Sequence, residues 1–150
     1  MSALYTTEIL RLAMTLAQYP RLAAPTGSAD RRAALCGSRI SVDVITDDDG
    51  RLGKIGLAAW ACAMGQASAG LLAAAAAGRT AAQISDAREA LATWLASPDA
   101  PAPEWPGIAA LDPARAYPAR HGAILLPFDA AAAAMQEAVD FAPRRTGTAG

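Results

Sequence analysis

Cysteine and histidine are scarce in this chain: its 150 residues carry two cysteines, Cys36 and Cys62, and one histidine, His121. Aromatic residues are also few, at 5% against 53% apolar overall, because much of the apolar count is alanine. That balance favours closely packed helices over a core of large side chains. Charge of one sign is not in excess: 13 basic and 14 acidic residues leave a formal charge of −1, so no net field points to nucleic acid or an anionic membrane. No apolar run reaches the roughly 18 residues that span a bilayer. The run "GLLAAAAAG" is short and bounded by glycine. The N-terminus lacks both the basic start and the long apolar stretch of a signal peptide, so a cytoplasmic location is the expectation. In that compartment two cysteines read as reduced thiols or metal ligands, not as a structural disulfide.

The length suits one domain with a real core. Its expected extent is residues 1–142, with "PRRTGTAG" (143–150) as a flexible C-terminal tail. From Leu4 to Tyr19 the apolar positions Tyr5, Ile9, Leu12, Ala13 and Leu16 follow helical spacing, with Thr6 and Thr7 as candidate caps. Pro20 ends that helix, and "APTGSADRR" (24–32) reads as a polar loop. In "RISVDVIT", Ile40, Val42 and Val44 alternate with Ser41 and Asp43, as in a strand with one buried face. "DDDG" (47–50) is a turn, and Ile55, Leu57 and Ala59 resume the alternation, which predicts an antiparallel hairpin. A calcium loop at "DDDG" fails, because Ile45 and Gly56 would fill its first and twelfth ligand positions.

Cys62 stands where the second strand stops and a helix begins, with Gly78 closing that helix. Thr80 with Gln83 and Asp86 with Glu89 both fit the capping-box pattern. The second pair is expected to open a helix carrying Ala87, Leu91, Trp94 and Leu95. "SPDAPAPEWPG" (97–107) reads as a rigid connector. A long C-terminal helix follows, with Pro127 in its first turn. The order predicts an α+β fold: a small antiparallel sheet with helices packed on one face.

Three soft or borderline ligands thus fall at element boundaries: Cys36 before the first strand, and Cys62 and His121 near helix starts. With one more ligand or a water they could bind zinc or iron. Each cysteine reads equally as a small buried residue, and nothing matches a protease or acyltransferase signature.

The segments "CGSRISVDV" and "DDDGRLGKIGLAAWACAMGQASAGL" resemble the U-type iron–sulfur cluster assembly scaffolds: IscU, SufU and the N-terminal domain of NifU. Those show a Cys-Gly-Asp step, an Asp-Gly hairpin turn and a Gly-Cys-rich strand-to-helix junction. "LYTTEILRLAMTLAQYPRL" is similar to the family's opening helix, and "PARHGAILLPF" to the SufU stretch around the third cysteine. The resemblance is closest to SufU and implies a SufE/NifU-like fold.

It also implies a non-enzymatic scaffold that binds iron, zinc or an iron–sulfur cluster. Cys36 and Cys62 match the first two cysteine ligands, and His121 is a further candidate metal ligand. Ser38 stands where the family has aspartate. The third cysteine falls on Ala123 when "LLPF" is aligned, or on Gly122 when His121 is aligned with the histidine that precedes it in IscU. Gly37 and Gly65 would let backbone approach the metal or a partner. Implied partners are a cysteine desulfurase and apo-protein recipients, and a homodimer could pool four thiolates from two half-sites. The alternative is a metal-free interaction module of the same fold.

Overall fold

The structure is a computed structural model that describes residues 6–34 and 37–149, the last eight of these by backbone alone. The chain opens with helix α1 (Thr7–Met14), where the Thr6 hydroxyl accepts the Ile9 N–H as an N-cap. A 3-10 turn (Thr15–Gln18) continues it. Three strands follow, β1 (Gly27–Arg32), β2 (Arg39–Thr46) and β3 (Leu52–Trp60), forming one antiparallel sheet in the order β1-β2-β3.

The hairpin register agrees with the alternation, since Ile40 faces Ala59, Val42 faces Leu57 and Val44 faces Ile55. The turn between them is closed by Asp47, whose Oδ1 accepts the Asp49 and Arg51 N–H groups, both at 2.9 Å. Gly50 there takes a left-handed φ of 78°.

The segment 24–32 is a correction: instead of a polar loop it contains β1. "GSADRR" offers no large apolar side chains, and its strand form comes from pairing with β2, from Gly27↔Val44 to Arg32↔Arg39. Gly27 makes this possible, because a Cβ there would stand 2.1 Å from the carbonyl oxygen of Ala134. Bare backbone therefore lies flush on the C-terminal helix.

Helix α2 (Ala63–Ala75) begins after Cys62 and is almost entirely buried. Helix α3 (Ala81–Ala96) starts from the Thr80–Gln83 capping box, so Asp86 lies inside it rather than capping a separate helix. Residues 97–107 carry no regular structure, as the prolines predict, and two 3-10 segments follow, Ile108–Ala116 and Pro118–Arg120.

Helix α4 (His121–Ala149) starts six residues earlier than Pro127 suggested, and its backbone runs through the segment expected as a tail. Pro127 is buried within the helix and leaves the Ala123 carbonyl without its usual N–H. The neighbouring carbonyl, of Ile124, accepts the Ser68 hydroxyl of α2 at 2.6 Å. Packing on both sides holds the irregular turn.

Helix α4 lies across β1 and β2, and α2 packs against β3, α4 and α1. The core joins Val42, Val44 and Leu57 to Met64, Leu72, Leu91, Phe128 and Met135. Trp105 closes it from the connector: its Nε1–H donates to the Leu71 carbonyl at 2.9 Å, and its ring meets Phe128 edge-on. Among the described residues no helix is long and apolar enough to cross a membrane.

Candidate functional site

The register brings three segments to one end of the sheet. Arg32 pairs with Arg39, and Arg39 with Trp60, so the 33–38 loop and the exit of β3 lie side by side. The loop is closed at its base by Ala33 N–H to Ser38 O, 2.8 Å, and Gly37 N–H to Ala33 O, 3.1 Å. Gly37 has φ +70°, a conformation that favours glycine. Ser38 is buried. Cys36 belongs to this loop but lies outside the described residues.

Two residues beyond Trp60, Cys62 forms the N-cap of α2 with extended backbone, and its side chain makes no capping hydrogen bond. It is a free, half-buried thiol. The Gln66 side chain ties the turn back by donating to the Ala61 carbonyl at 2.8 Å. At the first turn of α2, a Cβ on Gly65 would stand 2.9 Å from the Ala61 Cβ and 3.4 Å from the Ala123 Cβ. The starts of α2 and α4 are therefore in backbone-close contact.

The two positions considered for the absent third cysteine differ. Ala123 is buried, 1% exposed, against α2. Gly122 is exposed, and a Cβ built on it would have the Ala33 Cβ as its nearest neighbour, at 4.0 Å. The α4 start thus turns residue 122, not 123, toward the loop that holds Cys36.

His121 is anchored by its ring: Nε2 lies 3.1 Å from the Ala114 carbonyl oxygen. A carbonyl only accepts, so Nε2 is a protonated nitrogen, and in the neutral ring Nδ1 is the one left to coordinate. Metal-binding histidines commonly have one ring N–H fixed on a carbonyl in this way. Among the described residues, no group of three or more His, Cys, Asp and Glu side chains is gathered as for a metal.

A strand with one buried face would leave Asp43 on the open side, but it is 1% exposed. Its carboxylate accepts from Arg21 Nε at 2.6 Å and Nη2 at 3.0 Å, from the Ser28 hydroxyl at 2.7 Å and from the Leu22 N–H at 3.0 Å. Burial pushes this carboxyl up, yet Arg21, Ser28 and the Leu22 amide together outweigh it and hold it below the usual range. The segment Pro20–Leu22 lies over Gly56, where a Cβ would stand 2.3 Å from the Pro20 carbonyl oxygen. This cluster fixes one face of the sheet. A second cluster on that face, Arg39–Asp30–Ser41, reaches Trp60 at the site end. A serine two residues before an aspartate in each strand, Ser28 with Asp30 and Ser41 with Asp43, was the only signal for either.

Among solved structures, a nitrogen-fixing NifU-like protein (N-terminal part) from Brucella abortus matches with a TM-score of 0.81 and 33% identity. The match covers 93% of this chain and 96% of that one. A provisionally assigned iron–sulfur cluster assembly scaffold protein of the SUF system, from Fervidobacterium islandicum AW-1, matches with a TM-score of 0.78. Its identity is 16%, over 88% of this chain and 96% of the other, so it speaks for the fold alone. A hypothetical protein gives a TM-score of 0.69 at 20% identity, over 85% and 96% of the two chains. No family model matches the sequence, and no curated protein does. Fold and sequence identity together make this chain a member of the NifU-like family of U-type iron–sulfur cluster assembly scaffolds.

Proposed function

We propose that this protein is a scaffold-type member of its family that carries a metal or iron–sulfur cargo at the sheet end, without catalysing a reaction. The observation that carries the reading is the convergence of the 33–38 loop, the Cys62 N-cap and the start of α4. Cys36 and Cys62 would supply two thiolates, and His121 would supply Nδ1, with its other nitrogen held by Ala114. Three such donors and one open position suit zinc, or iron in transit.

The set is weaker than three thiolates and a carboxylate. Ser38 offers a neutral oxygen where the family has aspartate, and Gly122 offers nothing where a third thiol would face the loop. The open position would be filled by water or by a partner, with a cysteine desulfurase and apo-protein recipients as the partners the family resemblance suggests. The third thiol is also a natural sulfur acceptor, so sulfur delivery would have to use Cys36 or Cys62.

The test is metal analysis of purified protein beside Cys62→Ser and His121→Ala. Metal bound in about equimolar amount and lost from Cys62→Ser supports the reading. Equal content in both forms would instead favour a metal-free interaction module of the same fold.

A further inference from the structure

The face of the sheet away from α4 ends in a single rung, in which Arg32, Arg39 and Trp60 align across β1, β2 and β3. Trp60 is 55% exposed, whereas Trp94 and Trp105 are each 4% exposed. The Arg39 guanidinium lies 4.9 Å from the centre of the Trp60 ring. Both oxygens of Asp30 hold Arg39 Nε at 3.2 Å, and Asp30 also accepts the Ser41 hydroxyl at 2.6 Å. An open indole and a stacked arginine are thus held in one geometry at the end of a rigid sheet.

Tryptophan and arginine dominate the energetics of protein interfaces, and fixed side chains lose less freedom on binding. The charge around the indole selects the partner. Arg32 is exposed beside Arg39 in the rung. The one carboxylate on these last two rungs of that face, Asp30, offsets Arg39, so the exposed Arg32 leaves this end with net positive charge. A second copy meeting this rung face to face would set Arg32 and Arg39 against their own counterparts, which is unfavourable. A surface bearing carboxylates gains from the same cations.

We propose that the Arg32–Arg39–Trp60 rung docks a protein partner presenting carboxylates around an apolar recess that takes the indole. The rung adjoins the cargo site, so such a partner would sit over Cys62. Only this last point rests on the scaffold reading.

The test is tryptophan fluorescence, which reads Trp60 because the other two indoles are buried. With each ion's quenching constant divided by its value on free N-acetyltryptophanamide, iodide should quench it about threefold better than caesium at low salt. A short soluble peptide of glutamates interspersed with leucine should shield Trp60 and bind about tenfold more weakly to Arg32→Glu, while its lysine counterpart should not shield it. Arg32 is exposed, so this variant tests the field without threatening the fold; Trp60→Ala, followed by calorimetry, should abolish peptide binding. Equal quenching by the two ions, or equal shielding by the two peptides, overturns the proposal. Shielding that grows with protein concentration alone overturns it in favour of a second copy. The peptide is titrated onto metal-free protein, so failure here is distinct from failure of cargo binding.

Discussion

Arg21 grips Asp43 with two nitrogens, Nε to Oδ2 at 2.6 Å and Nη2 to Oδ1 at 3.0 Å, and thereby straps the end of the first helical segment onto the sheet. The aspartate is buried and the arginine half-exposed, so the pair is asymmetric. Removing the cation strands a buried carboxylate, which is the costlier loss. Arg21→Ala should destabilise the protein by about 2 kcal/mol, less than a fully buried pair because Ser28 and Leu22 still donate to Asp43. Urea unfolding measures it.

The same cluster sets an acid limit. The folded carboxyl of Asp43 titrates below its unfolded value, so its contribution is fully present above about pH 4 and is lost as pH falls through the folded value. Asp30, lowered first by the Ser41 hydroxyl and then by Arg39, adds in the same direction but is exposed. Thermal melts from pH 6 down to pH 2 should show a fall that Asp43→Asn flattens. An unchanged slope in Asp43→Asn would contradict this.

Ser68 and Ile124 join α2 to α4 at the turn disturbed by Pro127. Ser68→Ala would remove a buried hydrogen bond between the two helices and should cost about 1 kcal/mol. Denaturant midpoints decide it, and a change within about 0.5 kcal/mol, the range of neutral surface substitutions, would contradict it.

Trp105 is the core residue of an otherwise irregular connector. It combines a hydrogen bond to Leu71, an edge contact with Phe128 and the Arg79 guanidinium 3.9 Å from its ring centre. Trp105→Ala should cost about 3–5 kcal/mol, and Trp105→Phe less, since most apolar contact survives. Equal losses in both variants, read from denaturant unfolding, would assign the role to the hydrogen bond instead.

Gly65 lets the starts of α2 and α4 meet at the site. In Gly65→Ala the new methyl would stand 2.9 Å from the Ala61 Cβ, so the turn that carries Cys62 must shift, and 3.3 Å from the Ala123 carbonyl oxygen, so the α4 start must give slightly. The expected result is lower stability together with reduced metal retention. Full retention with lowered stability would show that this contact does not shape the site.

The β2–β3 hairpin was legible because Ile40, Val42 and Val44 alternate with polar residues and face Ala59, Leu57 and Ile55. Strand β1 was not, since its form depends on β2 for hydrogen bonds and on Gly27 for access to α4. The start of α4 was misplaced because a proline usually opens a helix, whereas tertiary packing holds Pro127 inside this one. Cys62 at the head of α2 could be read from the strand-to-helix change alone. The approach of Gly122 to Ala33 could not, because it depends on how α4 crosses the sheet. The polar clusters on the other face were hidden for a related reason: an aspartate in a strand reads as solvated until the arginine that covers it is located.

Anaerobic reconstitution with iron and sulfide, followed by desalting and iron and acid-labile sulfide analysis, tests the cargo site most directly. The account predicts that the wild-type chain retains both, that Cys36→Ser and Cys62→Ser each lose most of them, and that His121→Ala retains less than wild type. Equal retention by wild type and Cys62→Ser would contradict it.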